Sequence, residues 1–555
     1  MSEKLIIIGG VAAGMKTAAK ARREKPDLEI VVYQEEEVIS YAGCGLTYYI
    51  SDVISDRGKL VHRTADQMKE KSNIDVYTNH RVIKIIPETK EIAVLNLKTK
   101  EEFTTKYDKL VIATGASPKV PDIKGISSNN VHFLKSITDA DKIKVASKAI
   151  KNVIVAGAGF LGLEIAEAFK EMNKEVNLIV GSDQVLREFD KDIAYHVLKY
   201  MKEKGINVYT SENLIAIETD ENSNLTKVVT DKQEIKADMV IICKGVKPNT
   251  DIAKEAGIEL GLFGGIKVDD NLKTSIEDIY AGGDCVETKF LLNNKGYAIS
   301  SGSIANKHGK VIAENITGKK STFKGSLKTR IVKIFDMTVA RVGYSEKEAK
   351  KEAIDYEVAL IAADDIAHYY PGAQKIVLKM LAEKNTHKII GLQSFGLGEV
   401  SKRIDVASIV ITAGMTVEQV SQADLTYAPP YSPAMDAIIV CANVLANKLT
   451  GKSKSIMPLE FLEKMNNKPD SYVLIDVRPP DGYKEGKIKG AINIPFGQLR
   501  NRLDELDKNK EIIIHCRIGK MSYVAYRVLK NNGFENIKYL DGGVTGWIDE
   551  LEPVK

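Results

Sequence analysis

Asn152-Val153-Ile154-Val155-Ala156-Gly157-Ala158-Gly159-Phe160-Leu161-Gly162 decides the fold. The apolar run reads as a buried strand, and the glycines that follow keep the G-x-G-x-x-G spacing ahead of a helical pattern. Val176-Asn177-Leu178-Ile179-Val180 reads as the next strand, completing a βαβ unit. In such a unit the orphan N–H groups and the dipole of the helix N-terminus face a pyrophosphate. The plan already occurs at the start of the chain. Leu5-Ile6-Ile7-Ile8 leads into Gly9-Gly10-Val11-Ala12-Ala13-Gly14, a helical stretch to Arg23, and the strand Glu29-Ile30-Val31-Val32-Tyr33. Here Gly9 and Gly14 hold the outer places and Val11 the middle one. Two units imply two nucleotide sites, or a duplication with one site lost.

An acid that grips the ribose is expected at the end of the second strand, about twenty residues on. In the first unit that place holds Gln34, with Glu35 and Glu36 adjacent, and Glu35 is taken as the candidate. In the second it holds Gly181, with no acid and no adjacent arginine, so NADH and NADPH both stay open.

At 555 residues the chain suggests three or four domains. Lys109 to Ala116 reads as a strand ending in a glycine turn, and Asp278 to Asp284 as a related segment beyond the second unit. The second unit is therefore expected as an insertion, giving 1–115 with 246–326 as one domain and 116–245 as the other. A mixed module is expected over 327–445, a polar lysine-rich linker over 446–455, and a last domain over 456–555. A net charge of +4 gives no nucleic-acid signature. The start has no signal-peptide pattern, and no apolar run approaches a membrane span. Five dispersed cysteines do not form a disulfide framework, and a reducing cytoplasm is the expectation.

These residues, with Cys44, Ala113-Thr114-Gly115 and Gly282-Gly283-Asp284, resemble the single-cysteine branch of the flavoprotein disulfide reductases. That branch includes coenzyme A disulfide reductases, NADH oxidases, NADH peroxidases and persulfide reductases. The resemblance covers about residues 1 to 445. It implies an α/β chain with two Rossmann-like dinucleotide-binding domains, for FAD and NAD(P), and an α+β dimerisation domain. FAD falls on the first unit and NADH or NADPH on the second. The implied cofactor contacts are Gly9, Gly10, Val11, Ala12, Ala13, Gly14, Glu35, Val82, Thr114, Gly115, Gly157, Gly159, Phe160, Leu161, Gly162, Gly245, Asp284 and Ala305. Five residues after Cys44 comes Tyr49, which excludes the Cys-x4-Cys disulfide of the two-cysteine relatives. The first loop lacks the histidine of the peroxidases. His368-Tyr369-Tyr370-Pro371 and Tyr427-Ala428-Pro429-Pro430 match segments of the coenzyme A and persulfide members. There Tyr369 and Tyr427 would serve the partner subunit's cysteine in a homodimer. One departure stands out: Ser300-Ser301-Gly302-Ser303-Ile304-Ala305-Asn306 replaces the usual Pro-Leu-Ala-Gly-Pro-Ala-Asn.

A thiol attacks only as thiolate, and a helix N-terminus after Gly45 is expected to stabilise that of Cys44. Coenzyme A carries a pyrophosphate and a 3′-phosphate, so its site needs fixed cations. Arg22, Arg23 and Lys71 are candidates, and the resemblance adds weight to Arg23 and Ser40.

The segment from about Ile456 resembles a rhodanese domain of α/β fold. Val473 to Val477 leads to Arg478 and Glu511 to His515 forms a second strand, with Asp541-Gly542-Gly543-Val544-Thr545-Gly546-Trp547 late in the chain. Cys516 opens the loop Arg517-Ile518-Gly519-Lys520-Met521, expected as an anion nest to which Arg517 and Lys520 add charge. Met521, Val524, Ala525, Val528 and Leu529 recur at helical spacing beyond it. His515 reads as a strand residue, and no ligand cluster indicates a metal.

Together these implications predict an FAD-dependent NAD(P)H reductase of thiol persulfides, with sulfide released at Cys44 and sulfane sulfur handled at Cys516. The alternatives are coenzyme A disulfide reduction, NADH oxidation, and a sulfurtransferase whose flavin domain is structural.

Overall fold

The computed structural model describes residues 3–554. They form two compact units. The first runs to Asp183 and resumes over Gly205–Ser326; the second joins Gln184–Lys204 to everything from Leu327 onward.

In the first unit, five parallel strands stand in the order Ile279–Ala281, Lys109–Ile112, Lys4–Ile8, Glu29–Gln34 and Asp75–Thr78. The central strands are buried on both faces, which is why they are apolar throughout rather than alternating. A second parallel sheet follows the order Asn207–Thr210, Glu175–Val180, Asn152–Ala156, Met239–Ile242 and Val131–His132. The strand Ile279–Ala281 returns to the first sheet after the second is complete, so the second dinucleotide fold is an insertion. Ala116–Pro118 and Val246–Pro248, paired antiparallel, are where the chain leaves and returns.

In the second unit an antiparallel sheet runs Arg330–Ile334, Met337–Gly343, Ile389–Gly396, Lys375–Glu383 and Tyr356–Asp364. Helices Ser401–Ala413 and Ala437–Leu449 pack on it. Helix Lys191–Glu203 belongs to this unit, although its sequence position lies among residues of the second dinucleotide fold. The buried Lys379 ammonium explains this. It lies 2.7 Å from Asp192, 2.6 Å from Glu346 and 3.2 Å from Asp190. Removing one partner from so buried a group costs roughly 3–5 kcal/mol, so the cluster fixes the helix to the sheet.

The same unit holds a parallel sheet in the order Ser455–Ile456, Ile537–Leu540, Glu511–His515, Tyr472–Asp476 and Ile492–Asn493. The stretch 446–455, expected as a linker, is structured. Helix Ala437–Leu449 takes its first part, Ser455 begins a strand, and the buried Ser453 hydroxyl stands 3.3 Å from that of Tyr539. Composition misled here because Lys448 turns inward, with its side chain 8% exposed. No helix among the described residues is long and apolar enough to cross a membrane.

Candidate active site

The two glycine loops repeat one another in space. A Cβ at Gly9 (φ 104°) would stand 2.2 Å from the Ala113 carbonyl oxygen, and one at Gly157 (φ 117°) 2.4 Å from that of Cys243. At Gly14 and Gly162 a Cβ would lie 1.9 Å from the carbonyls of Gly9 and Gly157. These four glycines are demanded by the protein's own close packing. Gly159 is different, because a Cβ there would meet nothing within 4 Å. It keeps clear the approach to the N-terminus of helix Phe160–Glu171, whose Ncap supplies no side-chain bond. Helix Ala12–Glu24, after Val11, is likewise uncapped by a side chain. Both loops thus fit the pyrophosphate of a dinucleotide.

Around the first loop the fold gathers residues distant in sequence. A Cβ on Gly283 would meet Ala13 at 3.2 Å and Ala305 at 3.8 Å, so those three places converge. The Thr114 hydroxyl donates to the Asn249 carbonyl at 2.6 Å, and the Asn249 amide returns a bond to Thr114 O at 2.9 Å. Asp284 accepts from Lys135 Nζ at 3.1 Å and from the Ser301 N–H at 3.2 Å. Ser301 also caps helix Gly302–Ile316, so Ala305 lies inside that helix's first turn. Gly115 and Gly245, both at positive φ, have open space at their Cβ positions. Val82 is 6% exposed and packs with Ile6, Val31 and Tyr33.

At the end of the second strand the structure separates two candidates. Gln34 Oε1 accepts from the Gly10 N–H at 2.6 Å, while Glu35 points outward into an ion pair with Arg81. The residue that reaches the loop is Gln34, which the sequence reading passed over because it is not acidic. Lys135 and His308 were also missed. His308 Nδ1 accepts from Gly283 N–H at 3.1 Å, and burial pushes its pKa down to about 4, so it clips the turn as a neutral ring. Nothing local marks either residue, since each acquires its place from tertiary packing.

Cys44 is exposed and lies inside a 3₁₀ turn, Gly43–Gly45, with the short helix Leu46–Ile50 beyond it. A helix does begin after Gly45, as expected, but it is only five residues long. Gly43 has open space at its Cβ position; at Gly45 a Cβ would be 2.6 Å from Leu60. The Ser40 N–H donates to Gly10 O at 2.9 Å, which moors the cysteine segment to the first glycine loop. Helix Leu46–Ile50 packs on helix Phe160–Glu171. Glu164 of that helix has its carboxyl pushed up to about 7, by burial and then by Glu167. Tyr48 feels Glu164, Glu167 and Cys44, and burial first raises its pKa.

Arg22 does not face solvent as a free cation. Its guanidinium donates to the carbonyls of Ser72 at 3.0 Å, Asn73 at 2.7 Å and Pro26 at 2.5 Å. It therefore ties the end of the first helix to the end of helix Ala65–Ser72, on which Lys71 stands. Arg23 and Lys71 are exposed.

In the second unit, Tyr369 and Tyr427 are 65% and 54% exposed. Their side chains hydrogen-bond, which raises the Tyr369 phenol above the ordinary tyrosine range. Tyr370, Tyr431 and Met435 are exposed as well.

Cys516 is 4% exposed, at the end of strand Glu511–His515. Its carbonyl accepts from Val544 N–H and that of Arg517 from Thr545 N–H, each at 2.9 Å. Gly519 (φ 91°) precedes helix Lys520–Asn531. Arg517, one of the two cations expected to add charge to the nest, instead pairs with Glu485 at the surface. Ala525, Val528 and Leu529 are buried with Ser522 and Tyr526, whereas Met521 and Val524, expected on the same stripe, are 38% and 37% exposed. Met521 sits in the helix's first turn, beside the loop mouth, and Val524 follows one turn on. Asp476 holds Arg478 in a buried two-point ion pair, with Nη2 2.6 Å away. His515 is fully buried and neutral, its pKa pushed down to about 4 by desolvation.

Comparison with known proteins finds three family domains along the chain. Residues 3–309 match the pyridine nucleotide-disulphide oxidoreductase model, 329–438 its dimerisation domain and 457–550 the rhodanese-like domain. The NAD(P)H sulfur oxidoreductase (CoA-dependent) of Pyrococcus furiosus is 38% identical over 446 residues, 80% of this chain and 99% of that one. A NAD-dependent persulfide reductase from A. fulgidus, 40% identical, superposes with a TM-score of 0.93 over 98% of this chain and all 100% of that one. The reduced CoADR-RHD of Bacillus anthracis, 36% identical, gives the same score over 98% of each chain. From its two dinucleotide folds through its dimerisation module, the chain belongs to the pyridine nucleotide-disulphide oxidoreductases, and it carries a rhodanese-like domain at its C-terminal end.

Proposed function

We propose that the protein is an FAD-dependent NAD(P)H reductase of thiol persulfides, coenzyme A persulfide foremost. The observation that carries this reading is an exposed cysteine moored to a dinucleotide loop, in one chain with a second cysteine in a backbone nest. The first loop, Gln34, Thr114, Gly115, Asp284 and Ala305 would hold FAD, with Val82 and Glu35 at its margin. Gly157, Gly159, Phe160, Leu161, Gly162 and Gly245 would hold NADH or NADPH. FAD supplies the two-electron link between nicotinamide and sulfur.

Cys44, as thiolate, attacks the inner sulfur of the persulfide. A Cys44–S–S–R bond forms, the S–SH bond breaks, and hydrosulfide leaves. Regenerating the thiolate takes two electrons and one proton, drawn from NAD(P)H, and frees the thiol R–SH. Arg23, Ser40 and Lys71 bind coenzyme A phosphates, with Arg22 holding their two helices together. Tyr369 and Tyr427 act on Cys44 of the partner subunit in a homodimer, where their phenols stabilise the departing sulfur. Cys516 loads or delivers sulfane sulfur, and the cytoplasm suits both thiols. Coenzyme A disulfide fits the same steps with a thiolate as leaving group, and the Staphylococcus haemolyticus coenzyme A disulfide reductase, 31% identical over 440 residues, supports that second reading.

The test is anaerobic turnover with NADH or NADPH, measuring sulfide and thiol from coenzyme A persulfide beside coenzyme A disulfide reduction. Sulfide stoichiometric with nicotinamide oxidation is expected; faster disulfide than persulfide turnover would favour the second reading.

A further inference from the structure

The segment Asp541–Trp547 has two faces. One holds the Cys516 loop: Val544 and Thr545 N–H groups bind the carbonyls of Cys516 and Arg517. In a trans peptide the C=O and N–H point in opposite directions. Fixing those two carbonyls outward therefore turns the N–H groups of Arg517 and Ile518 toward the loop interior. The fit is tight, since a Cβ on Gly543 (φ 56°) would stand 2.5 Å from Cys516 O.

The other face rests on the dimerisation domain. Leu360 Cδ2 would lie 2.3 Å from a Cβ on Gly542 and 2.8 Å from one on Gly546, so its methyl touches bare backbone at both. Lys448, at the end of helix Ala437–Leu449, reaches the wholly buried Asp541 carboxylate at 3.1 Å and Glu357 at 3.4 Å. Its Nζ also donates to Val358 O. The wedge that aligns the nest is thus held from outside the rhodanese fold.

We propose that Leu360 of the dimerisation domain and Lys448, at the end of the helix that leaves it, are positioning residues for the sulfur chemistry of Cys516. The nest keeps its N–H groups on the sulfur only while the wedge is clamped. This deepens the reading of Cys516 as a sulfane carrier, on which the transfer assay below rests; the alkylation assay does not.

The full-length protein supplies the test. With thiosulfate as donor, the Cys516 thiolate takes the outer sulfur to give a persulfide and sulfite; cyanide then removes it as thiocyanate and restores the thiolate. Lys448→Met is expected to slow thiocyanate formation about tenfold or more, mainly in kcat. Alkylation of Cys516 at fixed pH, followed by peptide mass, should slow several-fold as the nest loosens. Lys448→Arg should restore both. Trp547, the chain's one tryptophan and 4% exposed, reports by its emission whether the wedge stays packed. If Lys448→Met unfolds it, Gly546→Ala decides: its Cβ displaces the wedge from Leu360, and Leu360→Ala in the same chain makes room again. Slowing by Gly546→Ala with recovery in the double variant supports the proposal. Wild-type rates of thiocyanate formation and of alkylation in Lys448→Met with Trp547 packed, or in Gly546→Ala, overturn it. Absence of thiocyanate from the wild-type protein, with the slowed alkylation in Lys448→Met intact, would instead sink the sulfur-carrier reading alone.

Discussion

Cys44 and Cys516 are built as opposites. Cys44 rides an exposed turn between glycines, with open space at Gly43, moored through Ser40 to a nucleotide loop. Cys516 lies at the floor of a loop whose carbonyls are bonded outward, almost out of solvent's reach. An exposed sulfur can form and lose a bond to a bulky thiol carrier; a sunken one accepts a single sulfur atom and shields it. The remaining thiols are packing groups, with burial pushing Cys243 up to about 12 and raising Cys285 and Cys441. The difference teaches that what each sulfur can meet is set by the backbone around it.

The contrast breaks most plainly by removing each sulfur in turn. Cys44→Ser should lower NAD(P)H-dependent sulfide release by roughly three orders of magnitude, while Cys516→Ser leaves turnover of small persulfides within about twofold. Next in size, Tyr369→Phe with Tyr427→Phe should cost about a hundredfold in kcat of the reductase and nothing at Cys516, as loss of a proton-donating pair does. Steady-state rates on each substrate separate the two. Smaller still, Arg22→Ala should raise KM for coenzyme A substrates several-fold by loosening two helices, and spare KM for a carrier without phosphates.

The smallest effect concerns pH. Glu164, near the Cys44 turn, has its carboxyl at about 7, above the ordinary 4.5, chiefly through burial. The folded state then holds a proton that the unfolded chain releases. This site therefore stabilises most below pH 4.5 and loses that contribution as pH rises toward 7. Glu164→Gln should gain stability of about 1–2 kcal/mol at pH 8 and almost none at pH 4, by thermal melting. Cys44 alkylation should also quicken about twofold above pH 7, where the wild type carries an added negative charge nearby. Beside Cys516, His515 stays neutral down to about 4, so no matching step is expected there.

Much of this architecture is legible in the sequence because it is written in glycines. Gly9, Gly14, Gly157 and Gly162 are imposed by contacts under 3 Å, and their spacing survives as pattern. The loop around Cys516 is legible for the same reason. Gln34, Lys135 and His308 were not, since their partners lie far along the chain at Gly10, Asp284 and Gly283. Arg22 was misjudged because a basic residue at a helix end looks alike whether it meets phosphate or a neighbouring helix's carbonyls. Lysine-rich composition similarly concealed Lys448, whose partner Asp541 is buried.

The division between the two sulfurs is tested most directly by single turnover. The protein, reduced anaerobically with NADH, is mixed with one equivalent of coenzyme A persulfide, and sulfide is measured within the first turnover. One sulfide per active site from wild type and from Cys516→Ser, and none from Cys44→Ser, is the expected result. Full sulfide release by Cys44→Ser would contradict it.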